Sequence, residues 1–519
     1  VLTPIDGYTA PESRRASTGA GRWFPRLGAV LCGAALVMAS GVAWAVDLQI
    51  NGEYRVRGFD LNNYFDARSG GNSQGGCGTP PGPCNDNERF LDQRFRLTTS
   101  AGLGIASAVV TLDFLNTYTG NGSPGYLGEP PANGSNTGDY RYGTAGFGGS
   151  VNNVGLREAY LMMTLPQVTL IAGRHHLVLG HSIVFDDVAD GITAVLPLGF
   201  WHSQLSLSVL EVFNDNATMP LGSGNDTNLY LVNLQMNPAA DRVWNVYFGD
   251  LRDRGPTLMN NLIYGLVDSN GNPLVPAGTN LSSATGTLYV LGATFDAQIG
   301  TSTFGFEVDA LSGTIASVPG ITENIGIKGY DLMASQKLNL GAVTVGLLGI
   351  YATGSGRDDF GQHETNLTDI SPNFVLGNIL VNGEGQFDRD GSTLQNGGFR
   401  GGMNQGGAGL VAFKLSLSGD VAPGLNLNGA AIYATTVNPV IPSPTCPTPS
   451  PGNGCFMDTR LGWEFDLNAV YQVDQNLQVS AGAGLLLADD AFSGLYNNNF
   501  TTWDYSPITK IFFKVRYLF

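Results

Sequence analysis

The chain has 519 residues, a formal net charge of −17 and only 13% charged residues, with 72 glycines, about twice the roughly 7% share of an average protein. With 43% hydrophobic and 10% aromatic residues it can bury too much surface to be disordered, and its acidic balance argues against a nucleic-acid partner. No apolar run of about 20 residues occurs beyond the N-terminal region, which excludes a helical membrane bundle and leaves a soluble multidomain enzyme or a large β-structure with one face in lipid.

Residues 1–45 read as an export leader with an over-extended start at 1–21. Arg22 and Arg26 form its basic end, Leu27 to Gly41 its apolar stretch, and Ala43-Trp44-Ala45 a small-x-small cleavage site. Cleavage after Ala45 leaves a mature chain, 46–519, with 22 basic and 41 acidic residues, addressed to the outer membrane.

From there the sequence alternates with period two, the pattern of a strand whose faces meet different solvents. Leu48, Ile50, Tyr54 and Val56 alternate with Gln49, Asn51, Glu53, Arg55 and Arg57. Trp463, Phe465, Leu467, Ala469 and Tyr471 alternate with Glu464, Asp466 and Asn468. At the C-terminus Ile511, Phe513, Val515, Tyr517 and Phe519 share one face, and Lys510, Lys514 and Arg516 the other.

Strands are expected at 47–59, 89–104, 106–117, 153–165, 167–177, 190–200, 203–213, 226–237 and 241–252. They continue at 284–298, 300–311, 324–339, 341–352, 403–419, 421–437, 459–473, 475–487 and 506–519. Between 153 and 237 apolar residues fall on both faces, so the count is eighteen or sixteen. Tight turns near Ile105, Pro166, His202, Pro238, Gly300, Leu340, Asp420 and Asp474 alternate with long polar links at 60–88, 118–152, 178–189, 214–225, 253–283, 312–323, 353–402, 438–458 and 488–505. Short periplasmic turns against long extracellular loops, with an even strand count, describe an all-β transmembrane antiparallel barrel. Closure also removes the open edges that lipid cannot satisfy.

Cys77 and Cys84 fall in the first long link and Cys446 and Cys455 in the eighth, so two local disulfides are expected of an exported chain. Zinc is the alternative, but no histidine lies near either pair. The fifty-residue link 353–402, rich in glycine, is long enough to fold into the pore or to cover the surface.

Several segments resemble the alginate-export family of outer-membrane barrels. They are Leu461-Gly462-Trp463-Glu464-Phe465-Asp466-Leu467, with Tyr471, Asn476-Leu477 and Gly484-Leu485, and Tyr351-Ala352-Thr353-Gly354-Ser355-Gly356-Arg357-Asp358. Asn51 to Arg57 and Gln93-Arg94-Phe95-Arg96-Leu97 are similar to that family's first hairpin. The resemblance implies an eighteen-stranded barrel passing an anionic polysaccharide through a basic constriction.

The alternation itself points Arg55, Arg57, Arg94 and Arg96 into the lumen beside Lys514 and Arg516 of the last strand, which must pair with the first. Arg157 and Arg174 extend this basic wall, and Glu307, Asp309, Asp331, Glu464 and Asp466 stand as acids elsewhere around the lumen. Such a wall selects anions, and guanidinium forks suit carboxylates; the competing reading is that the charges merely cross-link the wall, with Glu53 satisfying its neighbours. His175, His176 and His181 are read as rim residues, because adjacent strand residues point to opposite faces and cannot chelate one ion.

No nucleophile elbow, zinc-protease helix or phosphate loop occurs, so no enzyme, metal or cofactor is expected. The partners expected are lipid and lipopolysaccharide, the barrel-insertion machinery through Phe519, and an anionic solute diffusing passively. The alternative function is a structural sheath around a periplasmic partner such as a multihaem cytochrome.

Overall fold

The computed structural model describes residues 46–62, 88–120, 154–214, 226–254, 284–318, 323–354, 364–366, 370, 374–381, 408–438, 459–489, 491 and 507–519. The expected leader and all four loop cysteines lie outside the described residues.

The first half contributes β1 (Asp47–Asn62), β2 (Glu88–Leu103), β3 (Ala106–Gly120), β4 (Val154–Thr164), β5 (Thr169–Leu179), β6 (Phe185–Pro197), β7 (Gln204–Asn214), β8 (Asp226–Ala239) and β9 (Arg242–Asp253). The second half contributes β10 (Thr285–Ile299), β11 (Ser302–Ala316), β12 (Ile325–Asn339), β13 (Val343–Ala352), β14 (Glu364–Asn366), β15 (Leu410–Ala422), β16 (Leu425–Thr435), β17 (Arg460–Gln472), β18 (Leu477–Ala488) and β19 (Ile508–Leu518). Eighteen of these are long and pair antiparallel with their neighbours in chain order, and β1 closes on β19 with Arg55 opposite Arg516. The fold is therefore a closed antiparallel barrel of eighteen strands, and the sixteen-strand alternative falls away.

Period two sets the faces. On β1, Leu48 and Ile50 are 59% and 56% exposed on the outside, whereas Glu53, Arg55 and Arg57 are buried within. On β17, Trp463, Phe465 and Leu467 lie outside while Glu464 and Asp466 are buried. Outer aromatic pairs such as Trp244–Phe295 and Tyr433–Trp463 stand 5.2 and 5.1 Å apart between ring centres.

The nineteenth element is β14, three residues of the long link after β13, running parallel beside Gly326–Lys328 of β12. β12 needs it because β13 stops at Ala352, opposite Asp331, leaving the end of β12 without an antiparallel neighbour on that side.

Three expectations shift. The turns placed near Pro238 and Asp420 fall at 240–241 and 423–424, because the flanking strands continue past both residues. The link expected at 178–189 is only 180–184: the acids Asp186 and Asp187 read as loop, yet both sit in β6, where Asp186 binds His176 at 2.6 Å. Positive φ angles at Gly180 and Ser182 (62° and 68°) make so tight a link feasible.

The interior is drier than a wet lumen would be. Two apolar clusters fill the barrel at the strand ends nearest the long links. One contains Phe59, Leu61, Ile183, Leu376, Ile379, Leu410, Leu461 and Ile508; the other contains Leu179, Phe185, Leu229, Leu251, Ile315, Ile325 and Ile370. Ile183 and Val184 of the first link, and Ile370, Phe374, Leu376, Ile379, Leu380 and Val381 after β13, belong to these clusters, so these residues turn inward.

Candidate functional site: a charged lumen crossed by two inserted segments

The inner face of β19, β1 and β2 carries Arg55, Arg57, Arg94, Arg96, Lys510, Lys514 and Arg516. Cross-strand register stacks them: Arg55 lies between Arg94 and Arg516, and Arg57 opposite Lys514. Part of this wall is internally neutralised. Glu53 accepts from Arg94 and from Arg516 at 2.6 Å each, and Arg96 binds Asp113 of β3 through two bonds of 2.6 and 2.8 Å.

Arg57, Lys510 and Lys514 gather around a pocket of about 80 Å³, with Phe59 and Phe512 on the wall side and Val375, Gly377 and Asn378 on the other. The Arg57 guanidinium and the Lys510 ammonium lie 5.3 and 5.7 Å from the Phe59 ring centre. Lys510 is nearly fully buried. It shares the parity of Lys514 and Arg516, so its place on the wall was already written in the alternation.

The expected extension of the wall does not hold at Arg174. Arg157 is the extra residue of a bulge in β4 and stands 4.0 Å from Glu158. Arg174 lies opposite Ala159 on the face that Leu161 and Val178 share, both about 40% exposed on the outside, and pairs there with Asp190 at 2.9 Å. Its neighbour His175 has the inward place and bonds Thr193 at 2.9 Å, which in turn bonds Ser208.

The acids do not stand as a bare face opposite the wall. Glu464 accepts the backbone N–H of Ile379 and of Leu380 at 2.6 and 2.7 Å, and Asp466 accepts that of Asn378 at 3.1 Å. The Asn378 amide also donates to Asn468 and to the Ala483 carbonyl, and Lys414 of β15 donates to the Leu376 carbonyl. The turn is closed internally by Leu376 N–H to Val381 O and Gly377 N–H to Leu380 O. A Cβ on Gly377 would come within 2.6 Å of the Glu464 carboxylate.

Glu307 anchors the second segment. Its carboxylate accepts both the backbone N–H and the Nδ1 of His181 at 2.7 Å, and Tyr247 donates to Glu307 at 3.2 Å and to Asp309. His181 Nε2 reaches Asp296 at 3.1 Å. His181 is thus no rim residue; it is carried inward by the short link. Burial pushes its imidazole down, but the hydrogen bonds to Glu307 and Asp296 and their charges outweigh this and push it up to about 9.

Because the folded value lies above the ordinary 6.5, the stabilisation is complete below pH 6.5 and fades as pH rises through about 9. The thermal midpoint of the barrel should therefore fall between pH 7 and pH 10, and His181→Gln should flatten that slope. An equal slope in the variant would show that other groups set it.

No protein-family model matches the chain, and no curated protein matches it. Among solved structures it is similar to the outer-membrane protein OpdK and to OpdQ of Pseudomonas aeruginosa. The identities are 11% and 12% and the TM-score is 0.46 for both, with 91% of this chain and 98% and 99% of theirs covered. OccAB2 of Acinetobacter baumannii is similar at 12% identity and TM-score 0.46, over 91% of this chain and 98% of that one.

Proposed function

We propose that the chain is an outer-membrane channel through which hydrophilic anions diffuse passively, with a uronate-type polysaccharide or its fragments as the solute, as the alginate-export resemblance implies. The apolar outer face and the buried charges on the inner face support a barrel set in lipid. The observation that carries the anion preference is the pocket where Arg57, Lys510 and Lys514 converge at the edge of the inserted 374–381 turn. Cations grouped at the narrow part of a pore favour anions there, and a buried position keeps salt from screening them. Arg57, Lys510 and Lys514 line that pocket together, and the selective part is assigned to them on that ground. A sheath around a protein partner is disfavoured, because the two inserted segments occupy the space such a partner would need.

The test is the reversal potential in a planar bilayer under a salt gradient. Wild type should show the anion-selective sign, and Arg57→Glu with Lys514→Glu should reverse it. Arg96→Gln should leave the sign alone. Selectivity unmoved by the double reversal would defeat the reading.

A further inference from the structure

Two wall carboxylates, both fully buried, spend their acceptors on chain segments far away in sequence. Glu464 holds the backbone of Ile379 and Leu380, 85 and 84 residues distant, and Glu307 holds His181, 126 residues distant. Barrel strands satisfy their own backbone, so neither carboxylate is needed for the wall itself. The wall is also hollowed to receive the turn. A Cβ on Gly484 would stand 3.0 Å from the Asn378 Cβ and 3.1 Å from Ile379, and one on Gly180 would overlap the Glu307 carboxylate.

The two segments meet inside. Ile370 N–H donates to the Val184 carbonyl at 2.9 Å, and Ile183 packs in the same cluster as Leu376 and Ile379. A chain of contacts thus crosses the lumen from β11 through His181 and Ile183 to the 376–381 turn and on to β17. A pocket of about 80 Å³ lies at the edge of the 374–381 turn.

We propose that residues 179–185 together with Ile370 and residues 374–381 act as one diaphragm, and that Glu307 and Glu464 are the positioning residues that set the largest solute the pore admits. The reading separates size from charge. The wall decides which sign of solute is favoured; the two anchors decide how wide the passage is. Each anchor is a few buried hydrogen bonds, so removing one shifts the balance between seated and released segments by about tenfold or more.

The experiment is swelling of proteoliposomes in neutral sugars from mono- to tetrasaccharide, so that the outcome does not depend on anion preference. In wild type the swelling rate should fall steadily from mono- to tetrasaccharide. Glu464→Ala with Asp466→Asn, and separately Glu307→Ala, should raise the tetrasaccharide rate by about tenfold. Asn378→Cys with Gly484→Cys, introduced into the Glu464→Ala background, should restore the wild-type limit when oxidised and lose it again with reductant. The separation of those positions is within a few tenths of an ångström of disulfide reach. Single-cysteine versions given the same treatment should not respond. A size limit unchanged in both anchor variants, or unmoved by locking and unlocking the same sample, would overturn the proposal. Should the Glu464 variant fail to form a barrel, the Glu307 variant and the cysteine pair in the wild-type background decide it.

Discussion

Glu53→Ala is expected to destabilise the barrel by about 3 kcal/mol, the low end for removing one partner of a buried ion pair because Arg516 keeps part of its hydration. Glu53 bonds both Arg94 of β2 and Arg516 of β19, so it ties the closing seam from both sides at 2.6 Å. Without it three arginines, with Arg55 between, face one another on adjacent strands, and their repulsion adds to the lost bonds. Urea unfolding in detergent micelles reads the loss directly. Glu53→Gln should recover little, since the amide keeps the shape but not the charge. A midpoint unchanged in both variants would mean that the arginines find other partners at no cost.

Gly52→Leu should have a larger effect still and prevent closure. A Cβ on Gly52 would overlap the Phe519 ring, which lies over that position while the two residues exchange backbone bonds of 2.9 and 3.1 Å. Phe519 also stacks on Phe95 of β2 with ring centres 5.8 Å apart, so it spans three strands at the seam. Deleting Phe519 removes the same contacts and is expected to lower the amount of inserted protein while leaving export intact, as a signal read by the insertion machinery would require. The band shift between boiled and unboiled samples on a gel reports closure in each case. Gly52→Leu protein that migrates as a closed barrel would show that the ring can move aside.

How much of this was legible in the sequence depended on range. Strands with unlike faces disclosed their phase: the alternation around Arg55, Glu464 and Lys514 already pointed those side chains inward, and Lys510 shares that phase. Arg174 was misplaced because β4 to β8 carry apolar residues on both faces, so parity there had no anchor; only the pairing of Ala159 with Arg174 fixes it. His181 read as rim because a Gly-His-Ser stretch looks like any exposed link; what draws it inward is Glu307, on a strand 126 residues later. The same holds for Glu464 and Asp466. Their inward direction was local information, but the backbone they bind lies in a turn whose approach no periodic pattern encodes. The outer end of β12 needed a partner for a similarly nonlocal reason, the early stop of β13.

The bond between Arg516 and Glu53 joins residues 463 positions apart. Its consequence lies in time rather than space. A helical bundle can bank native structure as it leaves the ribosome, but this chain has no closed form until its last strand exists. Every earlier intermediate carries two unpaired strand edges, and the loop entropy of that final contact is met all at once. Synthesis and folding are thereby uncoupled. Until the last strand is made, the polypeptide stays open, with strand edges that invite pairing with other chains.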